Sequence, residues 1–460
     1  MTDISALPDA RAAAPLVSPL STPLDATLPD HPGAAVDSRI RRGTRSFRLT
    51  NLALFSAGFS TFALIYCVQP LMPVFSQEFG IGPAQSSLAL SATTGTLAFA
   101  MLVASSLSEI VGRKPVMVTS LLVSALLMMA SAFVRDWNDL VVLRALAGIA
   151  FSGLPAVAMA YVSEEMHTES VGLAMGLYIG GSGLGGLGGR AIAGVVADFV
   201  SWRTGLFAVG VVGVACALVL WRTLPASRNF RRSSPSVRVL AGSFAGHLRD
   251  GGLRALFLQG FLLLGSFVCV YNYTGYRLMQ PPFSLSQISV SFIFAVYLVG
   301  IVSSAYIGDL AVRLGRGPML CLSLGLMLVG VLATLAPWLP VIVLGMAVLT
   351  AGFFGAHSTA SSWVGARAHH AKAQASSLYL FAYYLGSSVV GTLGGVFWTG
   401  HGWHGVVMLI SGLLVAGFAC ACWLVALTSG EQRGEGKGAL GPSSGARVSR
   451  QGGGAVGSLS

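Results

Sequence analysis

The sequence predicts an all-α polytopic membrane protein with twelve transmembrane helices in two six-helix bundles. Three features predict it: twelve apolar stretches of spanning length, a basic connection dividing them six and six, and Lys and Arg confined almost entirely to one side. A crossing helix needs about 20 mostly apolar residues to traverse roughly 30 Å of hydrocarbon. The first six spans lie near 50–72, 86–108, 115–133, 139–162, 170–197 and 204–221. The second six lie near 254–276, 286–308, 318–337, 339–363, 373–399 and 404–427. Five segments follow: a basic N-terminal tail (1–49), a bundle (50–221), a connection (222–253), a second bundle (254–428) and a C-terminal tail (429–460).

Composition supports the class. Only 10% of the 460 residues are charged and 54% are hydrophobic, whereas soluble domains carry about 25% charged residues. The formal net charge of +11 is a topology signal. With the N-terminus inside, 23 Lys and Arg fall on the cytoplasmic side and three outside, Arg135, Arg203 and Arg277. By the positive-inside rule both termini are cytoplasmic, and no basic patch is left for nucleic acid. The six cysteines all lie within spans without metal-site spacing and read as packing residues. No cleavable signal peptide precedes the first span. The Pro/Ala/Ser-rich start and the Gly/Ser-rich end are expected to be disordered. The connection carries Arg222, Arg228, Arg231, Arg232, Arg238 and Arg249 with Pro225 and Pro235. It reads as a solvated linker, or as a short amphipathic helix on anionic headgroups.

The halves look like diverged copies. Gly112-Arg113-Lys114-Pro115 after span 2 is matched by Gly315-Arg316-Gly317-Pro318 after span 8, 203 residues on. Leu177-Tyr178 and Trp202 are matched by Leu378-Tyr379 and Trp403, 201 residues on. A parallel repeat of six spans is the plan of carriers that rock one half against the other around a midplane site.

These residues resemble the major facilitator superfamily, over about 50–428. The family's Gly-x-x-x-Asp-Arg-x-Gly-Arg-Arg/Lys loop appears here as Ser105-Ser106-Leu107-Ser108-Glu109-Ile110-Val111-Gly112-Arg113-Lys114, with Glu109 in place of the Asp. The second copy runs from Gly308 through Asp309, Arg313, Gly315 and Arg316 to Gly317, with Val312 at the acidic position. Within the superfamily the text is similar to the YnfM-like branch of bacterial inner-membrane exporters, through Gly112-Arg113-Lys114-Pro115-Val116-Met117 and Gln374-Ala375-Ser376-Ser377-Leu378-Tyr379-Leu380. The resemblance implies a latch of Glu109, Gly112, Arg113 and Lys114, with Gly308, Arg313, Gly315 and Arg316, holding the cytoplasmic gate shut in the outward-facing state. Glu109 can accept hydrogen bonds from Arg113 or from a neighbouring helix start. The competing reading makes Arg113 and Lys114 topology signals only.

Two arginines lie inside spans, where a charge costs about 2.5–3.5 kcal/mol on insertion scales. Arg144 begins Arg144-Ala145-Leu146-Ala147-Gly148, similar to the family's Arg-x-x-x-Gly in helix 4, which is associated with substrate binding and proton coupling. Arg190 stands where drug antiporters of the superfamily carry the Pro of Gly-Pro-x-x-Gly-Gly; here the stretch is Gly189-Arg190-Ala191-Ile192-Ala193-Gly194. Snorkelling to the outer headgroups is the alternative for both. None of the 17 Asp and Glu falls in the middle third of a span. Buried bases without buried acids favour anionic or polar neutral solutes. His357 is the midplane group that titrates near neutral pH, as a proton carrier or as a packing residue bonded to a backbone carbonyl.

Tyr66 and Gln69 are three apart in span 1, and Asn272 and Tyr276 four apart in span 7, so each pair shares a helix face. With Tyr271 they are candidate substrate contacts, because helices 1 and 7 line the cavity in this family; interfacial anchoring is the alternative for Tyr276. Ten glycines between Gly172 and Gly194 include Gly181, Gly185 and Gly189 at four-residue spacing, which lets helices approach closely. The run Gly183-Leu184-Gly185-Gly186-Leu187-Gly188 matches a dinucleotide fingerprint only formally, since no strand precedes it.

The resulting expectation is a secondary transporter of the bacterial inner membrane, without cofactor or metal, monomeric, exporting a small organic solute or drug-like compound in exchange for protons. The alternatives are an organic-anion exchanger or a proton symporter for a small metabolite. No Walker motif, nucleophile–base pair or His-Glu-x-x-His spacing points to ATP drive or an enzyme. Two repeats in one chain argue against a channel.

Overall fold

Pattern and caps set the helices. In the computed structural model, which describes residues 39–230 and 237–438, α1 (Arg45–Tyr66) starts where Thr44 Oγ1 accepts from the Phe47 amide at 3.1 Å. The following spans are α2 (Leu88–Val111), α3 (Arg113–Ala130), α4 (Trp137–Glu165), α5 (Thr168–Phe199) and α6 (Trp202–Thr223). The second half contributes α7 (Gly251–Met279), α8 (Gln287–Leu314), α9 (Arg316–Ala333) and α10 (Leu339–Arg367). A final helix, Lys372–Gly438, is broken at Gly402, whose φ of 58° reverses the chain. Its start lies beside Glu109 and Arg113, and Val425 returns to pack on Gly317, so 372–401 (α11) and 403–438 (α12) cross in opposite directions. Among the described residues ten helices are long and apolar enough to span a membrane; the reversal at Gly402 and the shorter apolar stretch Leu88–Ala104 of α2 bring the crossings to twelve.

Helix α1 begins five residues inside the segment expected to be a disordered tail, because Thr44 supplies a cap. The last helix likewise continues to Gly438, into the expected C-terminal tail. Residues 39–44 are held as well, Ile40 N donating to Glu165 O at 2.8 Å, while 1–38 and 439–460 lie outside the described residues. The connection contains a helix, Val237–Arg249. It packs on α7 and α11, with His247 buried and hydrogen-bonded to the Ala371 carbonyl at 3.1 Å. Arg231 and Arg232 lie outside the described residues.

The repeat is visible in the backbone. Gly112 (φ 110°) and Gly315 (φ 96°) turn α2 into α3 and α8 into α9 with the same left-handed geometry, which only glycine adopts without strain. Gly181, Gly185 and Gly189 of α5 lie directly on the α1 backbone at Phe55, Phe59 and Ala63. Gly386 of α11, 201 residues beyond Gly185, lies in the same way on Phe261 of α7. A methyl group at any of these would meet backbone. Helices α1 and α7 are the innermost, with 72% and 83% of their most apolar windows buried. Between the bundles α2 packs against α11 and α5 against α8. Phe99, Val103, Val302 and Val312 face outward, as a lipid-exposed surface requires.

Candidate functional site

The site grows from one proline. Pro70 lacks an amide hydrogen and cannot continue α1, which ends at Tyr66 and gives way to a turn over 67–71 before a short helix, Met72–Phe79. The break frees the carbonyls of the last turn. Arg144 of α4 takes two of them, donating from its guanidinium to Leu64 O (3.0 Å) and Ile65 O (2.8 Å), and from Nε to Ala89 O of α2 (2.7 Å). It is completely buried in its own bundle and does not line the central cavity. The second half needs no such residue: α7 runs unbroken past the corresponding level, and Gly345, at Arg144's repeat position, packs against the Gly330 carbonyl of α9.

The break also separates Tyr66 from Gln69, whose shared face assumed a continuous helix. Tyr66 faces the cavity, whereas Gln69 turns to the interface between the bundles. There Gln69 Oε1 accepts from Arg190 Nε at 2.8 Å and from a terminal nitrogen of the same guanidinium. Gln69 Nε2 donates to Asn272 Oδ1 of α7 at 2.7 Å. The order is forced, because Arg190 has only donors, so the Gln69 oxygen must face it and the Asn272 oxygen must face the Gln69 amide. The Asn272 amide nitrogen is left buried without a partner.

Arg190 is completely buried. Besides Gln69 it donates to Gly186 O (2.6 Å) and to the Tyr297 hydroxyl (2.9 Å), and its guanidinium lies 4.5–4.9 Å from the ring centres of Tyr66, Phe294 and Tyr297. All its acceptors are neutral. Snorkelling, the alternative for both arginines, does not occur. Further contacts close the same end: Tyr276 OH donates to Met72 O (2.9 Å) and accepts from the Ser76 hydroxyl (2.5 Å), and Gln287 Nε2 donates to Pro70 O (2.5 Å). Asn272 and Tyr276 thus act from one face of α7, as their spacing predicts. Tyr271 turns away into its own bundle, hydrogen-bonded to Thr350 Oγ1 at 2.6 Å.

Beneath this seal is a central cavity of about 250 Å³, lined by α1, α4 and α5 of the first half and α7, α8, α10 and α11 of the second. Tyr66 and His357 line it; of the other expected contacts, Gln69, Arg190, Asn272 and Tyr276 belong to the seal, and Arg144 and Tyr271 to the bundle interiors. His357 is bonded through Nδ1 to the Tyr379 hydroxyl (2.9 Å), rather than to a backbone carbonyl, and its ring stacks on Tyr383 at 4.5 Å. Met159 and Leu380 line both this cavity and a vestibule of about 420 Å³ at the opposite end.

That vestibule holds Glu109, Ser108 and Glu164 of the first half, Gln374 and Ser377 of α11, and Phe244 of the connecting helix. Arg113 reaches α4 and grips Glu164 through two nitrogens, at 2.7 and 3.2 Å, and donates to Ser108 at 2.5 Å. Its partner is therefore Glu164 rather than Glu109, because Gly112 reverses the chain and aims Arg113 at the end of α4. Glu109 is half-buried in the vestibule wall. Lys114 donates to the Leu224 carbonyl at 2.5 Å. In the second copy, Arg313 pairs with Asp309 on the surface (2.8 Å), Arg316 leaves Nε without a partner, and Gly308 sits against Ser358.

Sequence reasoning missed Glu164, Tyr297, Tyr383 and Tyr384. Only the consecutive Tyr383-Tyr384, four and five residues beyond the repeat-matched Tyr379, gave a usable signal.

Comparisons with known proteins agree with this architecture. A sequence profile described as Major Facilitator Superfamily matches residues 54–279 and 256–450. The "Inner membrane transport protein YnfM" of Escherichia coli (strain K12) is 52% identical over 82% of this chain and 90% of its own length. The "Uncharacterized MFS-type transporter YybF" of Bacillus subtilis (strain 168) is 48% identical over 84% and 94%. Among solved structures a point mutant of the nucleoside transporter NupG superposes with a TM-score of 0.69 over 82% of this chain and 99% of that one, at 14% identity, which speaks for the fold alone.

Proposed function

We propose, from the premise that the chain belongs to the major facilitator superfamily and is a multi-pass membrane transporter, that it is a secondary active carrier working by alternating access, exporting a small organic solute in exchange for protons. One observation carries the reading: a cavity between two repeat-related bundles, shut at one end by the Arg190–Gln69–Asn272 chain and adjoining a vestibule at the other. With both termini cytoplasmic, as the Lys/Arg bias indicates, this is the inward-facing state. The seal residues form the outer gate. The cytoplasmic latch is assigned to Glu109 and its loop, and in this state Glu109 awaits a partner from the second bundle.

His357 is the proposed proton site, since an imidazole is the side chain whose ordinary titration lies nearest neutrality and, among the described residues, no Asp or Glu lines the cavity. Protonation there makes both ring nitrogens donors: where Nδ1 had accepted from the Tyr379 hydroxyl the bond must reverse, and where Nδ1 already donated it is kept. The carrier operates as a monomer, because the cavity is completed by the two halves of one chain.

The test is accumulation of candidate solutes in cells with and without the protein, repeated after collapsing the proton gradient. The reading expects lower accumulation in expressing cells and loss of the difference when the gradient collapses. A difference that persists without the gradient removes proton coupling. Higher accumulation in expressing cells reverses the direction.

A further inference from the structure

The cavity wall is unusual in its chemistry. Nine of its twenty-one lining residues are Phe or Tyr, against 9% aromatic residues in the whole chain, and His357 adds a tenth ring. Several rings are nearly parallel: Phe267 and Phe353 lie 3.8 Å apart at 9°, and Phe353 and His357 are inclined by 6°. Among the described residues no Asp, Glu, Lys or Arg lines the cavity. At about 250 Å³ it falls below the roughly 300–1,000 Å³ of sites for drug-sized ligands, so its occupant is about one substituted ring in size.

The electrostatics have a definite sign. Arg190 presents a cationic guanidinium with donors only, and its acceptors Gln69, Gly186 and Tyr297 carry no charge to offset it. It lies against the rings of Tyr66 and Tyr297, both of which line the cavity. Because the Tyr297 oxygen accepts from Arg190, its own O–H is polarised by that cation and is the better donor for it. A donor hydroxyl and an uncompensated positive field beside an aromatic wall form a complementary site for an aromatic ring bearing one negative charge.

We infer that the transported solute is a small planar aromatic monoanion, its ring against the aromatic walls and its anionic group on the Tyr297 hydroxyl. This rests on the carrier reading above and narrows it to a substrate class.

The experiment is calorimetric binding to the purified full chain of four probes: benzoate, neutral benzamide, non-aromatic cyclohexanecarboxylate and cationic benzyltrimethylammonium. Benzoate is expected to bind tightest, with benzamide and cyclohexanecarboxylate each weaker by about fivefold or more. Tyr297→Phe is expected to weaken benzoate about tenfold or more while leaving benzamide within about threefold. Equal binding of benzamide and benzoate, or tighter binding of the cation, overturns the inference. If folded protein binds none of the four probes yet exchanges other solutes in proteoliposomes, the substrate class is wrong and the carrier stands. If it exchanges no member of a broad solute panel, the carrier reading itself is wrong.

Discussion

Gln69 and Asn272 meet across the two bundles through a single 2.7 Å hydrogen bond, and the Asn272 amide nitrogen is left without a partner. A buried unsatisfied donor costs about 1–3 kcal/mol. The seal is therefore held and weakened by the same residue, as an interface that must open repeatedly requires. Substituting Gln69→Leu removes the bridge and takes an acceptor from Arg190, so the seal opens more often. With Ser87→Cys as a reporter, buried at the closed end, labelling by an impermeant thiol reagent is expected to rise about tenfold or more over the same reporter with Gln69 intact. An unchanged rate contradicts the gate assignment.

Arg144 serves the broken helix rather than the solute. Arg144→Met leaves the buried Leu64 and Ile65 carbonyls at the broken helix end without the guanidinium, at about 1–3 kcal/mol each before relaxation, while Ala89 O keeps its own helix bond. The melting temperature in detergent is expected to drop by several degrees, with solute affinity unchanged in the fraction that remains folded. A variant of normal stability that has lost binding places Arg144 in the site instead.

Glu109 and Glu164 separate the two readings of the near loop. Glu164→Gln weakens a pair within one bundle and is expected to lower stability with little effect on turnover per folded molecule. Glu109→Gln is expected to insert and fold normally but to slow turnover about fivefold or more, since a latch contributing about 1–3 kcal/mol sets the populations of the two states. Normal turnover by Glu109→Gln at normal expression leaves these residues as topology signals only.

Asp250 caps α7, accepting from the Leu253 amide and from Arg367 Nε, both at 2.7 Å. Partial burial raises its carboxyl, but the hydrogen bonds from Arg367 and the backbone outweigh burial and hold it below the usual carboxylate range. A carboxylate with a depressed folded value stabilises fully above its unfolded value of about 4, and the contribution is lost as pH falls through the folded value. Asp250→Ala is expected to destabilise by about 1 kcal/mol at neutral pH. The difference in melting temperature from the parent should hold down to about pH 4 and shrink below it. A difference that grows on acidification contradicts the assignment.

The spans, the halves and the close-packing glycines were legible because each depends on local composition or on spacing along one helix. Gly181, Gly185 and Gly189 needed only the helical period to be read as a contact stripe, and Gly112 and Gly315 announced matching turns. The two buried arginines were legible as anomalies but their partners were not. Arg144's acceptors exist only because Pro70 breaks a different helix, and Arg190's bridge depends on a glutamine that the same break turns away from Tyr66. Likewise Arg113 has two acids within reach in the folded chain, and sequence proximity favoured Glu109 where geometry selects Glu164. Tyr297 gave no local signal, since its role comes from lying under a guanidinium 107 positions away.

The most direct test of the central claim is the pair of distances across the two ends of the molecule, measured by spin labels in lipid with and without transported solute. Labels at the exposed Gln77 and Gln280 report the closed end, and labels at Ser163 and Gln374 report the vestibule. Alternating access predicts reciprocal change, the first distance growing as the second shrinks. Distances that stay fixed, or that grow together at both ends, contradict it.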